Sequence, residues 1–175
     1  MTPFSREMIE QLIAERQARG HGDLFLKGAV LTGLDLSGLD LRGANLREAN
    51  LQQADLHESI LSGADLVEAN LAGSDLRKID LYQANLTGAN LTGANLTFAH
   101  LGLANLTAAL LRGANLTFTD AHRADFDLAV EGLLGRGDHA RARRVERDDV
   151  GQGEDEQDEQ AGEDGGNERQ ATKGW

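Results

Sequence analysis

The chain has 175 residues and a formal net charge of −12, with no cysteine, one proline and only 4% aromatic residues. This composition excludes a disulfide framework, a thiolate metal site and a thiol nucleophile, and it argues against direct binding of nucleic acid. No stretch approaches the ~20 apolar residues of a membrane span. The amphipathic, charged first twenty residues do not resemble a signal peptide, so we expect a cytoplasmic protein.

The first predicted element is a helix within residues 1–22. Five apolar residues recur at helical spacing, namely Phe4, Met8, Ile9, Leu12 and Ile13. Pro3 or Ser5 can begin this helix, and Gly20 can end it. We interpret it as an N-terminal cap on the structure that follows. A helix that dimerises or binds a partner is the alternative.

A five-residue repeat then runs through residues 23–128. Leucine occupies every fifth position from Leu26 to Leu116, which we call position i. Position i−2 is small or apolar, usually alanine, and position i−1 is mostly asparagine or aspartate. In an extended segment residues two apart face the same way, so alanine and leucine share one face and i−1 points away. The other two positions suit a corner in solvent. Stacked repeats would bury a continuous leucine column, whereas a helix would spread the leucines around its surface.

The segments "LRGANLREANLQQADL" and "ANLTGANLTGANLT" carry the pattern A-(D/N)-L-x-x. This pattern resembles the pentapeptide-repeat family over roughly residues 24–128. The resemblance implies an all-β solenoid, a right-handed quadrilateral β-helix with four repeats in each coil. On that basis the repeats would make about five coils. The four sides come from the resemblance, because repeat spacing alone does not distinguish a triangle from a square.

The repeat weakens at Thr119 and Ala121, where a C-terminal end is predicted. The apolar residues that follow could form a cap, covering residues 129–135, or a dimer interface, and some members of the family dimerise through this end. These residues are Phe126, Leu128, Val130, Leu133 and Leu134. Residues 136–175 are predicted to be a disordered tail, Arg-rich at first and then acidic. Solubility is its simplest role, and attraction of a basic partner is the alternative.

The sequence shows no catalytic constellation. The five histidines, His21, His57, His100, His122 and His139, show no metal-ligand spacing along the chain. Serines and threonines fall at corners without a neighbouring histidine and carboxylate, and no phosphate-binding loop is present. We therefore expect a non-enzymatic protein with no catalytic residue, no cofactor and no metal site.

Two candidate surfaces emerge when every fourth repeat is placed on one face. Asp35, Asp55 and Asp75 would stack on one face, and the adjacent face would carry Asp40, Asp80 and Asp120. Each aspartate could simply hydrogen-bond the nearby bend. The functional alternative comes from the resemblance: some family members mimic DNA, bind DNA gyrase or topoisomerase IV and protect it from quinolone-type inhibitors. Against this, residues 24–130 carry twelve acidic and seven basic side chains, and only Arg112 is charged within residues 84–118.

The second surface is aromatic. Phe98 and Phe118 occupy the same place in repeats four apart, so they should be neighbours at a corner facing solvent, and Tyr82 should also point outward. Exposed stacked rings suggest a contact surface, although two aromatics could also simply cover a corner. The preferred function is therefore a protein-binding scaffold with an unidentified protein partner, and a homodimer through the C-terminal end is a further option.

Overall fold

The computed structural model describes residues 4–20 and 24–129. Its helix, α1, spans Arg6–Arg19, and a coiled backbone built from five-residue repeats follows it. The predictions for Val130, Leu133, Leu134 and the tail of residues 136–175 lie outside the described residues. No helix in the described ranges is long and apolar enough to cross a membrane.

The bounds of α1 follow from its end residues. The Ser5 hydroxyl accepts a 3.4 Å hydrogen bond from the backbone N–H of Met8, which occupies an amide that the first turn leaves free. Gly20 ends the helix with φ of 71°, a left-handed conformation that glycine adopts without a Cβ clash. Helix α1 lies within the 1–22 segment assigned from sequence.

Helix α1 packs against the beginning of the coil. Ile9 and Ile13 are buried in the same apolar cluster as the repeat leucines, with Leu12 half-buried beside them. Met8, which was expected in this stripe, is 39% exposed because it lies on the flank of the stripe. The Arg16 guanidinium donates hydrogen bonds of 2.8 and 2.9 Å to carbonyl oxygens in the coil. A helix in this place shields coil backbone that a stack would otherwise expose.

The coil repeats every twenty residues. Its β-structure consists of single-residue parallel bridges at the i−1 positions, from Phe25↔Asn45 to Asn105↔Asp125, and each bridge joins residues twenty apart. One coil therefore contains four five-residue repeats. The right-handed sense and the number of coils stay predictions.

Backbone hydrogen bonds join each coil to the next. The N–H of Leu26 donates to the carbonyl of Asn45 at 2.8 Å, and the N–H of Asn45 donates to the carbonyl of Leu24 at 2.9 Å. The same exchange recurs along the stack. Backbone groups near the core are thereby paired, which removes the cost of burying them unsatisfied.

The core is the leucine column predicted from the repeat. Every leucine at position i from Leu31 to Leu111 is at most 2% exposed, and the small residues at i−2 fill the space between them. Two serines replace alanine at i−2 without leaving a buried hydroxyl unpaired. Ser59 Oγ donates to the Leu56 carbonyl at 2.6 Å, and Ser74 Oγ donates to the Leu71 carbonyl at 2.7 Å.

The corners have one fixed conformation at position i+2. Glycines there, such as Gly38, have positive φ, and the non-glycine residues at this position have φ of 54–59°. Where position i−1 is asparagine or aspartate, its side-chain oxygen accepts the N–H at i+1, as Asn85 does from Thr87 at 3.2 Å. Either asparagine or aspartate can occupy i−1, because both side chains carry this acceptor oxygen.

Candidate functional site

The aromatic corner, defined as Phe98 and Phe118, is a stacked apolar feature on the outer surface of the described coil. The two ring centroids are 5.1 Å apart and the ring planes differ by 11°. Phe98 is 56% exposed and Phe118 is 68% exposed. Both rings project from the same corner of successive coils, and earlier coils carry an ion pair of 2.8 Å between Lys78 and Glu58 at that corner.

The backbone at the aromatic corner makes phenylalanine an unfavourable choice for the fold itself. Phe98 has φ of 59° and Phe118 has φ of 58°. In this left-handed region a residue with a side chain is disfavoured relative to glycine by roughly 1 kcal/mol. Earlier coils place Gly38, Glu58 and Lys78 at the same corner with the same positive φ. The coil therefore does not need rings at this corner.

Tyr82 lies apart from the aromatic corner. Its half-buried ring stacks on His100, with centroids 6.0 Å apart and planes 17° apart, and lies 6.3 Å from the ring of His122. The structure thus groups Tyr82 with two histidines, although the sequence placed it with Phe98 and Phe118 in one candidate surface.

The first acidic row consists of Asp35, Asp55 and Asp75, which are joined by bridges one coil apart. Each carboxylate accepts the backbone N–H two residues further on, at 3.0–3.1 Å. All three aspartates therefore cap bends, in the same way as the asparagines elsewhere at position i−1.

Cations offset much of the charge of this row. Arg6 of α1 contacts Asp35 at 2.8 Å, and Arg77 Nε contacts Asp75 at 2.8 Å. The hydrogen bond from the Arg77 side chain lowers the pKa of Asp75. His57 Nδ1 lies 2.6 Å from the carboxylate of Asp55, and this hydrogen bond raises the pKa of His57.

The second acidic row is interrupted by other residues. Asp40, Asp80 and Asp120 share one column, but Ile60 and His100 stand between them. Arg42, the main cause of the lowered pKa of Asp40, contacts that carboxylate at 2.7 Å. The row is thus less acidic than the sequence positions alone suggest.

The candidate C-terminal interface is described only in part. Phe126 is half-buried and packs on the core, whereas Leu128 is 74% exposed. Phe126 therefore covers part of the last described coil, and Leu128 is available for contact.

A histidine cluster, defined as His100, Asp120 and His122, was not anticipated from the sequence. His100 Nε2 lies 2.9 Å from Asp120 Oδ2, and His122 Nδ1 lies 3.1 Å from Asp120 Oδ1. One candidate ligand atom from each residue lies within 4.8 Å of the others. The structure thus brings together two histidines, His100 and His122, whose spacing along the chain did not indicate a common cluster.

The signal for this cluster was present in the twenty-residue coil. His100 occupies i−1 and Asp120 occupies the same position one coil later, while His122 lies at i+1 beside Asp120. Along the chain the two histidines are separated by slightly more than one coil. In the stack, successive coils lie directly against each other, so the same two residues are neighbours.

Comparison with known proteins agrees with this architecture. The sequence matches the family model for pentapeptide repeats, in eight copies, over residues 26–63, 64–97 and 89–127. Curated protein sequences gave no match. Among solved structures, the pentapeptide-repeat protein Rfr23 of the cyanobacterium Cyanothece 51142 is 32% identical, with a TM-score of 0.62 over 70% of this chain and 99% of that one.

Two further solved structures resemble the chain less closely. HetL of Nostoc sp. strain PCC 7120, involved in heterocyst differentiation regulation, is 30% identical over 63% of each chain, with a TM-score of 0.38. The plasmid-mediated fluoroquinolone resistance protein QnrB1 is 16% identical over 71% of each chain, with a TM-score of 0.41. The family match and the likeness to Rfr23 show that this chain belongs to the pentapeptide-repeat family.

Proposed function

We propose that this protein is a non-enzymatic scaffold that binds a protein partner through the aromatic corner. The observation that carries the proposal is the exposed stack of Phe98 and Phe118 in a backbone conformation that favours glycine. The corner backbone does not require these rings, because Gly38, Glu58 and Lys78 hold the same conformation in earlier coils. Partner binding gives them a role, because buried aromatic anchors dominate many protein interfaces.

The charge around the corner supports apolar contact. Within residues 84–118 only Arg112 is charged, so little charge must be desolvated when a partner covers this half of the coil. The neighbouring ion pair of Lys78 and Glu58 supplies a polar margin on the N-terminal side. An apolar centre with a polar margin is the usual anatomy of a protein interface.

The test compares proteins captured from the source-cell extract by the full chain and by two variants. Phe98→Gly with Phe118→Gly removes both rings and suits the left-handed backbone, so the coil should stay folded. Phe25→Ala is the matched control, because Phe25 is 70% exposed and belongs to a different column of the coil. We expect a partner bound by the wild type and the control to be lost from the double variant. Equal capture by all three proteins would contradict the proposal.

Mimicry of DNA toward gyrase or topoisomerase IV is the second candidate function. The stacked Asp35, Asp55 and Asp75 favour it. Two observations oppose DNA mimicry. Arginine side chains contact this row, and residues 24–130 carry only a modest excess of acidic side chains.

A supercoiling assay with a fluoroquinolone separates the two functions. Replacing Asp35, Asp55 and Asp75 by asparagine keeps the bend-capping oxygen and removes the charge. If mimicry operates, wild-type protection of gyrase should weaken steeply with salt, and the triple variant should lose it. Absence of any wild-type protection would reject mimicry while leaving the scaffold proposal intact.

Self-association through the C-terminal end and a cytoplasmic location are also parts of this proposal. Leu128, 74% exposed beside the half-buried Phe126, supports the first. Sedimentation equilibrium of the wild type and Leu128→Gln tests it, and an unchanged mass for the two proteins would remove self-association through Leu128 from the proposal.

A further inference from the structure

We propose that the histidine cluster of His100, Asp120 and His122 is a binding site for a divalent transition-metal ion of the zinc type. The site lies outside the aromatic corner and beyond the scaffold function, and it needs neither Phe98 nor Phe118. Two imidazoles and a carboxylate are ligands that zinc prefers, and three protein ligands leave a coordination position open.

The distances between the ligand atoms suit a small tetrahedral ion. With bonds of about 2.0–2.2 Å, ligand atoms on a tetrahedral ion are roughly 3.4 Å apart. Asp120 Oδ2 lies 2.9 Å from His100 Nε2, and Asp120 Oδ1 lies 3.1 Å from His122 Nδ1. One ligand atom from each of the three residues lies within 4.8 Å of the others. Small side-chain rotations bring them to bonding distance, and the ion then replaces the hydrogen bonds to Asp120.

The preceding coil places Asp80 and Tyr82 beside the ring of His100. Asp80 Oδ1 lies 3.8 Å from His100 Nδ1, while the Nε2 of the same ring faces Asp120. The ring of Tyr82 stacks against His100. The stacked ring of Tyr82 restricts the orientation of the His100 ring, whereas the Asp80 carboxylate at 3.8 Å is beyond hydrogen-bond distance of the far nitrogen.

Gly102 makes room for the second histidine. A Cβ at Gly102 would overlap His122 Cε1 and would lie 2.8 Å from His122 Nδ1. Unlike the corner glycines at i+2, Gly102 shows no positive φ, so the turn does not require glycine here. The missing side chain instead allows the His122 ring to fold back over the coil beside Asp120.

A comparison cluster on the adjacent face fits a metal less well. Asp55, His57 and Asp75 also bring candidate ligand atoms together, but they include one imidazole, and the guanidinium of Arg77 contacts Asp75. Within residues 4–20 and 24–129, the ion pairs of Asp80 and Asp120 involve histidines alone. A metal ion at the histidine cluster would therefore not displace an arginine.

The experiment titrates zinc into the full-length protein and its variants by calorimetry and by NMR of the imidazole C–H resonances. His100→Gln with His122→Gln removes two ligands, and His57→Gln is the matched control in the comparison cluster. Gly102→Ala keeps every ligand but occupies the space of the His122 ring. The acidic C-terminal segment is present in all variants, so any weak binding of zinc there cancels in the comparison.

We expect zinc to shift the resonances of His100 and His122 and to leave those of His57 unmoved. The double variant should bind zinc at least about tenfold more weakly, Gly102→Ala about tenfold more weakly, and His57→Gln as the wild type does. Circular dichroism should show all variants folded. Equal zinc affinity in the wild type and the double variant would mean adventitious binding to carboxylates only and would overturn the site. An unchanged affinity in Gly102→Ala would overturn the role of the glycine.

Discussion

Truncation of one buried leucine provides a direct measure of what the leucine column contributes to stability. Leu101 is 0% exposed. Its N–H donates to the Asp120 carbonyl of the next coil at 2.6 Å, and the carbonyl of His100 accepts the N–H of Leu81 from the preceding coil at 2.8 Å. Leu101→Ala removes three carbons, worth about 2.4 kcal/mol at about 0.8 kcal/mol per buried CH₂. Because the bonded coils cannot close the space, a cavity should raise the loss to about 3–5 kcal/mol.

Leu103→Ala is the matched control, two residues away in the same repeat. Leu103 is 37% exposed at a corner with φ of 58°, and leucine and alanine experience the same left-handed strain there. No closed cavity forms, so the loss should be about 1 kcal/mol. Urea denaturation followed by far-UV circular dichroism gives both values, provided that the slope with urea is unchanged. Equal losses for the two variants would refute the assignment of inward and outward positions.

Three further predictions concern the bends, the helix and the pH dependence. Asn85→Ala should cost about 1 kcal/mol by thermal melting, because the N–H of Thr87 loses its acceptor, whereas Asn85→Asp should be nearly neutral. Arg16→Ala should lower the hydrogen-exchange protection of α1 and leave the coil amides protected. The hydrogen bond to Asp55 raises the pKa of His57, so the stabilisation is complete below the unfolded value of about 6.5 and is lost as the pH rises through the folded value. The melting-temperature difference between the wild type and His57→Gln should therefore become smaller as the pH rises from acidic to alkaline.

The inside of the coil could be predicted because one short pattern decides it. The leucine at every fifth position and the small residue at i−2 lead directly to the buried column from Leu31 to Leu111. The end of α1 at Gly20 was equally accessible, whereas the sequence left its start between Pro3 and Ser5, and the structure has Ser5 as the N-cap. These features depend on residues close together in the sequence.

The outside could be predicted only in part, because its contacts depend on stacking and on side-chain direction. The neighbours Phe98 and Phe118 followed from counting four repeats, but the contact between Arg6 and Asp35 required the placement of α1. The His122 ring occupies space that a side chain at Gly102 would fill, which the five-residue pattern does not indicate. A repeat pattern in the sequence does not determine the orientation of a side-chain ring relative to its neighbours.

The twenty-residue coil makes the outer surface depend on how many repeats separate two residues. One extra five-residue repeat inserted directly after the repeat of Phe98 would keep every leucine buried, yet it would move Phe118 to the next side of the coil. Phe98 would then stack over Gly113, and the aromatic corner would be lost without a single residue being replaced. A twenty-residue duplication would instead keep the two rings on one corner and place a further coil between them. Gain or loss of repeats can therefore reshape the surface of such a protein while its interior stays the same.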